Sequence, residues 1–176
     1  MQAQDTIDFS KIDWEIVDKE KAEFIYQEAL EHHRGIIENN NKINDKALGL
    51  LSFTMPIMAA LAGYFAISWG KETGPLFTTA ITACIFLFVI MILLLLIVAP
   101  RGIFEGAGSP GAYFTADYYK RDMKGLYVGN IVDLQKSILH DRKILNIRGW
   151  FFRIAIILCA AFPVVSFLVF LLCRRK

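Results

Sequence analysis

The residues with the most chemical potential in this sequence are six cations in two clusters. Lys120, Arg121 and Lys124 form one, and Arg142, Lys143 and Arg148 form the other. Ammonium and guanidinium groups grouped on one helical segment can offer several charge-assisted donors to a single anion, phosphate above all. The six are therefore the candidate phosphate contacts. Anionic lipid headgroups and the acidic stretch 1–31 are the competing partners for the same charges. Reach separates the clusters. Arg142, Lys143 and Arg148 stand within about two turns of a hydrophobic run, at roughly 1.5 Å per residue, which suits lipid. Lys120, Arg121 and Lys124 stand about seven to eight turns away, which suits a soluble ligand.

Little else in the chain suggests reactivity. The sequence holds no Gly-x-Gly-x-x-Gly, no phosphate-binding loop, no His-Glu-x-x-His and no nucleophile elbow. His32 and His33 are adjacent and His140 stands apart, so none has a helical partner four residues away. Cys84, Cys159 and Cys173 all lie in apolar runs and have no metal or redox spacing. They read as small packing residues. The sequence thus predicts no enzyme, no metal site and no cofactor.

The elements that must position the cations are membrane helices. Of 176 residues, 55% are hydrophobic and 20% charged, and the mean hydropathy is +0.43. Three apolar runs account for the excess: Leu50–Trp69, Pro75–Ala99 and Ile154–Cys173. A bilayer core of about 30 Å takes about 20 helical residues, and a spanning backbone must satisfy itself as a helix. The first run follows 46 polar, acidic residues, too late for a signal peptide, and no lipidation motif is expected. The predicted class is an all-α integral membrane protein, oligomeric, with three hydrophobic helices and two long cytoplasmic amphipathic helices. Its expected segments are a cytoplasmic helical stretch 1–49, membrane helices 50–69 and 75–99, a cytoplasmic loop and basic helix 100–149, a third membrane helix 150–173, and a basic tail 174–176.

Charge sets the expected orientation. Residues 1–46 carry six Lys/Arg and residues 101–149 carry eight, against Lys71 alone in the hairpin 70–74. By the positive-inside rule the N-terminus and residues 100–149 are cytoplasmic in a multi-pass inner-membrane protein. Three spans put Arg174, Arg175 and Lys176 outside. A re-entrant or interfacial third run, broken at Pro163, is the alternative. Residues 1–31 have a net charge of −6 and 101–149 of +3, so the two stretches attract one another or the basic one receives an anion.

Two amphipathic patterns flank the spans. Ala22, Ala29, Ile36, Ile43 and Leu50 recur every seven residues. This narrow stripe is either a helix packing on its neighbours or an oligomer seam, with His32, His33, Asn39 and Asn40 at flanking positions. After the Gly/Pro-rich loop 100–111, a helix from about 115 to 147 carries Tyr127, Ile131, Leu134, Ile138 and Leu145 on one face, at steps of four, three, four and seven.

The first span contains Ala59-x-x-x-Gly63, a small-residue step that permits close helix approach, with Pro56 and Ser52 nearby. These four are the expected oligomer or pore-packing residues. Hydroxyls such as Thr54, Thr79 and Thr82 either bond back to their own helix or line an outer vestibule. The spans hold no Asp, Glu or Lys, which argues against a proton-coupled transporter. A water path through so small a chain requires a homo-oligomer, expected to be a tetramer with the first span nearest its axis.

Asn44-Asp45-Lys46-Ala47 runs straight into a span, Pro100 follows the second, and Ser109-Pro110, Tyr113-Phe114, Gln135, Ile138 and Arg142-Lys143 precede the last. This order resembles the transmembrane effectors of bacterial anti-phage signalling, especially the Pycsar transmembrane effector family, over roughly residues 36–165. The Hailong transmembrane effector and the two-span effectors of CBASS-like systems are also similar. The family's approach to its Asp-x-Lys step is aromatic-rich, whereas here the approach, Asn39 to Asn44, is Asn-rich. The resemblance implies a membrane effector that permeabilises or depolarises the inner membrane in abortive defence. It also implies a nucleotide or oligonucleotide messenger from a neighbouring nucleotidyltransferase or cyclase. Pycsar-type effectors answer cyclic pyrimidine mononucleotides, and Hailong-type effectors are held closed by a DNA oligomer. A structural scaffold subunit or a ligand-independent holin-like channel are the other expectations open to these residues.

Overall fold

The structure is a computed structural model that describes residues 13–68, 74–100 and 122–174. Every regular element among them is a helix: α1 (Lys19–Ser68), α2 (Pro75–Val98) and α3 (Met123–Arg174). Each is long and apolar enough to cross a membrane.

The polar N-terminal stretch and the first hydrophobic run are one helix of 50 residues, not two. Between them lie Asp45, Lys46 and Ala47, and nothing there breaks a helix. Gly49 alone costs about 1 kcal/mol of helix propensity. Pro56 sits inside α1 and Pro163 inside α3 without ending either, as membrane helices tolerate. The third run is therefore the unbroken second half of a 52-residue helix.

The helix starts are set by two aspartates. Asp18 Oδ1 accepts from the Lys21 amide at 2.8 Å and Asp122 Oδ1 from the Gly125 amide at 3.0 Å, the standard N-cap arrangement. The Lys21 amide, and then its ammonium, hold the Asp18 carboxyl below its usual range. At Gly125 an added Cβ meets Asp122 Oδ1 at 2.7 Å, so a larger residue there would shift the capping carboxylate. Pro75 opens α2, where a missing N–H costs nothing, and Pro100 follows its last turn.

The chain divides into two compact units. The first combines Met1–Glu38 with Gly102–Lys143, and the second combines Asn39–Arg101 with Ile144–Lys176. In the second, Ala47, Leu51, Leu87, Ile90, Leu94, Ile97 and Ala155 form the core. Ile43 and Leu50, from the seven-residue stripe, pack against it. In the first, Ala22 and Ile36 of the same stripe are buried. Within each unit the stripe is covered by the chain's own residues, as the packing alternative expects. The hydroxyls also follow the simpler expectation. Ser52 and Thr54 donate to Gly49 and Leu51 carbonyls, and Thr79 and Thr82 to Pro75 and Thr78 carbonyls.

Candidate functional site

Two polar pairs organise the contact of α1 with α3. In the first unit His33 Nε2 faces Asp141 Oδ2 at 2.9 Å, both side chains 3% exposed. In the second unit Arg148 Nη1 donates to Asn40 Oδ1 at 2.8 Å. Both pairs are separated by 108 residues in sequence. Ala47 and Ala155, fully buried in one core, have the same separation. In each unit the partner numbers rise together, so the two helices run parallel.

The helical repeat explains which residues meet. His33, Asn40, Ala47 and Thr54 recur every seven residues and all are buried. So do Leu134, Asp141, Arg148 and Ala155. These are a positions of a parallel heptad pattern, and the apolar stripe Ala29, Ile36, Ile43 and Leu50 supplies the d positions beside them. Polar residues at a specify register and partner at some cost in stability.

Arg148 does a second task. Its Nη2 donates to the Ala99 carbonyl at 2.8 Å, just past the end of α2. A cation at a helix C-terminus satisfies an orphan carbonyl and complements the helix dipole. One guanidinium thus ties α3, α1 and the end of α2 together within the second unit. The planar fork of arginine can serve two acceptors at once, which an ammonium does less well.

The six expected phosphate contacts are placed differently. Lys120 and Arg121 lie outside the described residues. Lys124 is half-buried in the first turn of α3, within electrostatic range of Asp18. Near it, Tyr26 and Tyr127 pack with ring centroids 5.7 Å apart. Loss of hydration, then the Glu23 carboxylate, push the Tyr127 phenol above its usual range. Arg142 is half-buried and Lys143 exposed, both in the first unit. Arg148 is 4% exposed and engaged inside the second. Ser52, Pro56, Ala59 and Gly63 are all exposed on α1. An added Cβ at Gly63 meets nothing within 4 Å.

Sequence reasoning passed over His33, Asn40 and Asp141 as structural partners. The signal was present in the face Ile138 to Leu145, where the seven-residue gap holds Asp141 at the missing heptad position. His33 and Asn40, read as flanking residues, occupy the same repeat on α1.

The Pycsar effector protein domain matches residues 28–174. The chain belongs to the Pycsar effector family. The match takes in the paired parts of α1 and α3 and all of α2. A Pycsar effector is a membrane effector of anti-phage defence, placed at the inner membrane here by three apolar helices. Its family implies a cyclic nucleotide signal from a partner cyclase. Comparison with curated proteins and with solved structures gives no match.

Proposed function

We propose that this Pycsar effector is a nucleotide-gated, pore-forming homotetramer that depolarises the inner membrane during infection. The N-terminus and residues 100–149 face the cytoplasm, all three apolar helices span, and Lys120, Arg121 and Lys124 receive the nucleotide phosphate. Arg142 and Lys143 lie closer to the membrane and take lipid headgroups. Arg148 holds the helices together.

The observation that carries this reading is the continuity of α1 and α3. Each is one unbroken helix from a polar half into an apolar half. Each helix thus carries a polar segment that could bind a ligand and an apolar segment that could line a membrane path. The absence of acidic residues and lysine from the described spans favours passive flow over coupled transport.

The test is membrane potential in cells expressing the chain, read with a voltage-sensitive dye as the partner cyclase is induced. The wild type should depolarise the cells only with the cyclase. Arg121→Glu/Lys124→Glu should insert normally and stay silent. A double variant that responds like the wild type overturns this site. Depolarisation without the cyclase overturns nucleotide activation.

A further inference from the structure

The heptad register leaves outer positions of α1 exposed in each unit. With His33 and Asn40 at a, the c and f positions of α1 in the first unit are Lys21, Phe24, Glu28, Glu31, Gly35 and Glu38, acidic from Glu28 onward. In the apolar half the same positions are Gly49, Ser52, Pro56, Ala59, Gly63 and Ala66. All are exposed except Gly35, which is intermediate. Added Cβ atoms at Gly35, Gly49 and Gly63 meet nothing within 4 Å. The acidic part borders a hollow of about 550 Å³ lined by Gln27, Glu28, Glu31, Arg34 and Gly35, among others.

The matching surface is on α3. With Asp141 at a, its c positions in the first unit are Gly129, Lys136 and Lys143, with His140 beside the lysines at g, and both lysines and His140 are exposed. Lys136 also reaches Asp133 on its own helix, at 3.2 Å. In a parallel pair the c positions of the two helices lie on opposite sides, because a near-twofold axis relates the helices. One unit therefore carries an acidic face and a basic face pointing different ways.

Depth decides whether these faces can meet between copies. Copies in one bilayer are related by rotation about the membrane normal, so residues of equal depth face one another. The His33–Asp141 pair puts residue n of α1 level with residue n + 108 of α3 near it. Glu28 is then level with Lys136 (28 + 108 = 136). Gly35 is level with Lys143 (35 + 108 = 143), between Glu31 and Glu38, each about a turn or less away. Both bases of one copy thus meet acids or a gap on the next.

We propose that copies of this chain assemble head to tail. The acidic c/f face of α1 in one copy receives Lys136 and Lys143 of α3 in the next, all within the first unit. Repetition of one heterologous contact closes a ring. The charge pairs fix partner and register more than affinity. The inference rests on the homo-oligomer part of the proposed function and specifies its interface.

The test pairs two full-length variants bearing different tags, Glu28→Lys/Glu31→Lys/Glu38→Lys and Lys136→Glu/Lys143→Glu. Each alone sets like charges against each other at every contact. Expressed singly, each should lose the oligomer seen for the wild type by native mass in detergent. Expressed together, they should co-purify and regain the wild-type mass, because an alternating ring restores every pair. Gly35→Trp is the folding control. Its side chain enters open space in one chain, so helicity should be unchanged while assembly is lost. If either charge variant assembles alone as the wild type does, this interface is wrong and the pore reading stands. Loss of assembly without rescue on mixing also overturns it. A wild type that is monomeric at every concentration removes the pore reading itself.

Discussion

Burying His33 against Asp141 spends stability on pairing specificity. Two polar side chains, each 3% exposed, face each other at 2.9 Å where a Leu pair would pack with no desolvation cost. Removing one partner of such a pair strands the other and costs about 3–5 kcal/mol, whereas replacing both by apolar residues is often neutral or stabilising. Asp141→Leu should therefore lower the unfolding midpoint of the detergent-solubilised protein markedly. His33→Leu/Asp141→Leu should regain most or all of it. Thermal unfolding followed by helicity reads both. A double variant as unstable as the single one would show that the loss comes from the shape of the site and not from a stranded polar group. Position 33 looked like a flanking surface residue because histidine is common on polar helices. Its burial became visible only with Asp141 opposite.

At the scale of elements, three helices depend on one guanidinium. Arg148 bonds Asn40 of α1 and the Ala99 carbonyl at the end of α2, each at 2.8 Å. Bonds to a charged donor contribute about 1.5–3 kcal/mol each. Arg148→Ala removes both and leaves two acceptors without this donor. It should cost about 3 kcal/mol or more and speed amide exchange in the last turn of α2. Arg148→Lys should fall between, since one ammonium reaches two acceptors in different directions poorly. Equal stability of all three forms would deny the residue this joining role. The long helices themselves were legible as periodic and apolar segments. Their fusion into α1 and α3 was less so, because Gly49, Pro56 and Pro163 are breakers by propensity and are overruled by the surrounding helix.

For the whole molecule, the question is which ends lie on which side. Within the second unit α1 and α3 run the same way, and both pass from polar to apolar halves. If both cross the bilayer, the C-terminal tail emerges opposite the start of α1. A single cysteine introduced for labelling, in a chain with Cys84, Cys159 and Cys173 replaced, tests this in intact cells. Lys124→Cys should resist a membrane-impermeant maleimide from outside, and Lys176→Cys should react. External labelling at position 124 would reverse the orientation, and protection at position 176 would make the third run non-spanning.

The sequence by itself determined the class of the protein, its three apolar helices, its charge asymmetry and its resemblance to Pycsar effectors. Those properties are local, since run length against bilayer thickness and residue order need no partner. It also showed half of the helix-pairing seam, the apolar half: Ala22, Ile36 and Ile43 on α1 and Ile131, Leu134 and Ile138 on α3. Only the tertiary structure decided the polar half. His33 with Asp141 and Asn40 with Arg148 are joined across 108 residues, and in a linear reading a polar side chain looks solvated until its partner is found. Arg148 is the plainest case. Its charge advertised a surface contact, and its burial beside Asn40 and the end of α2 made it a structural joint.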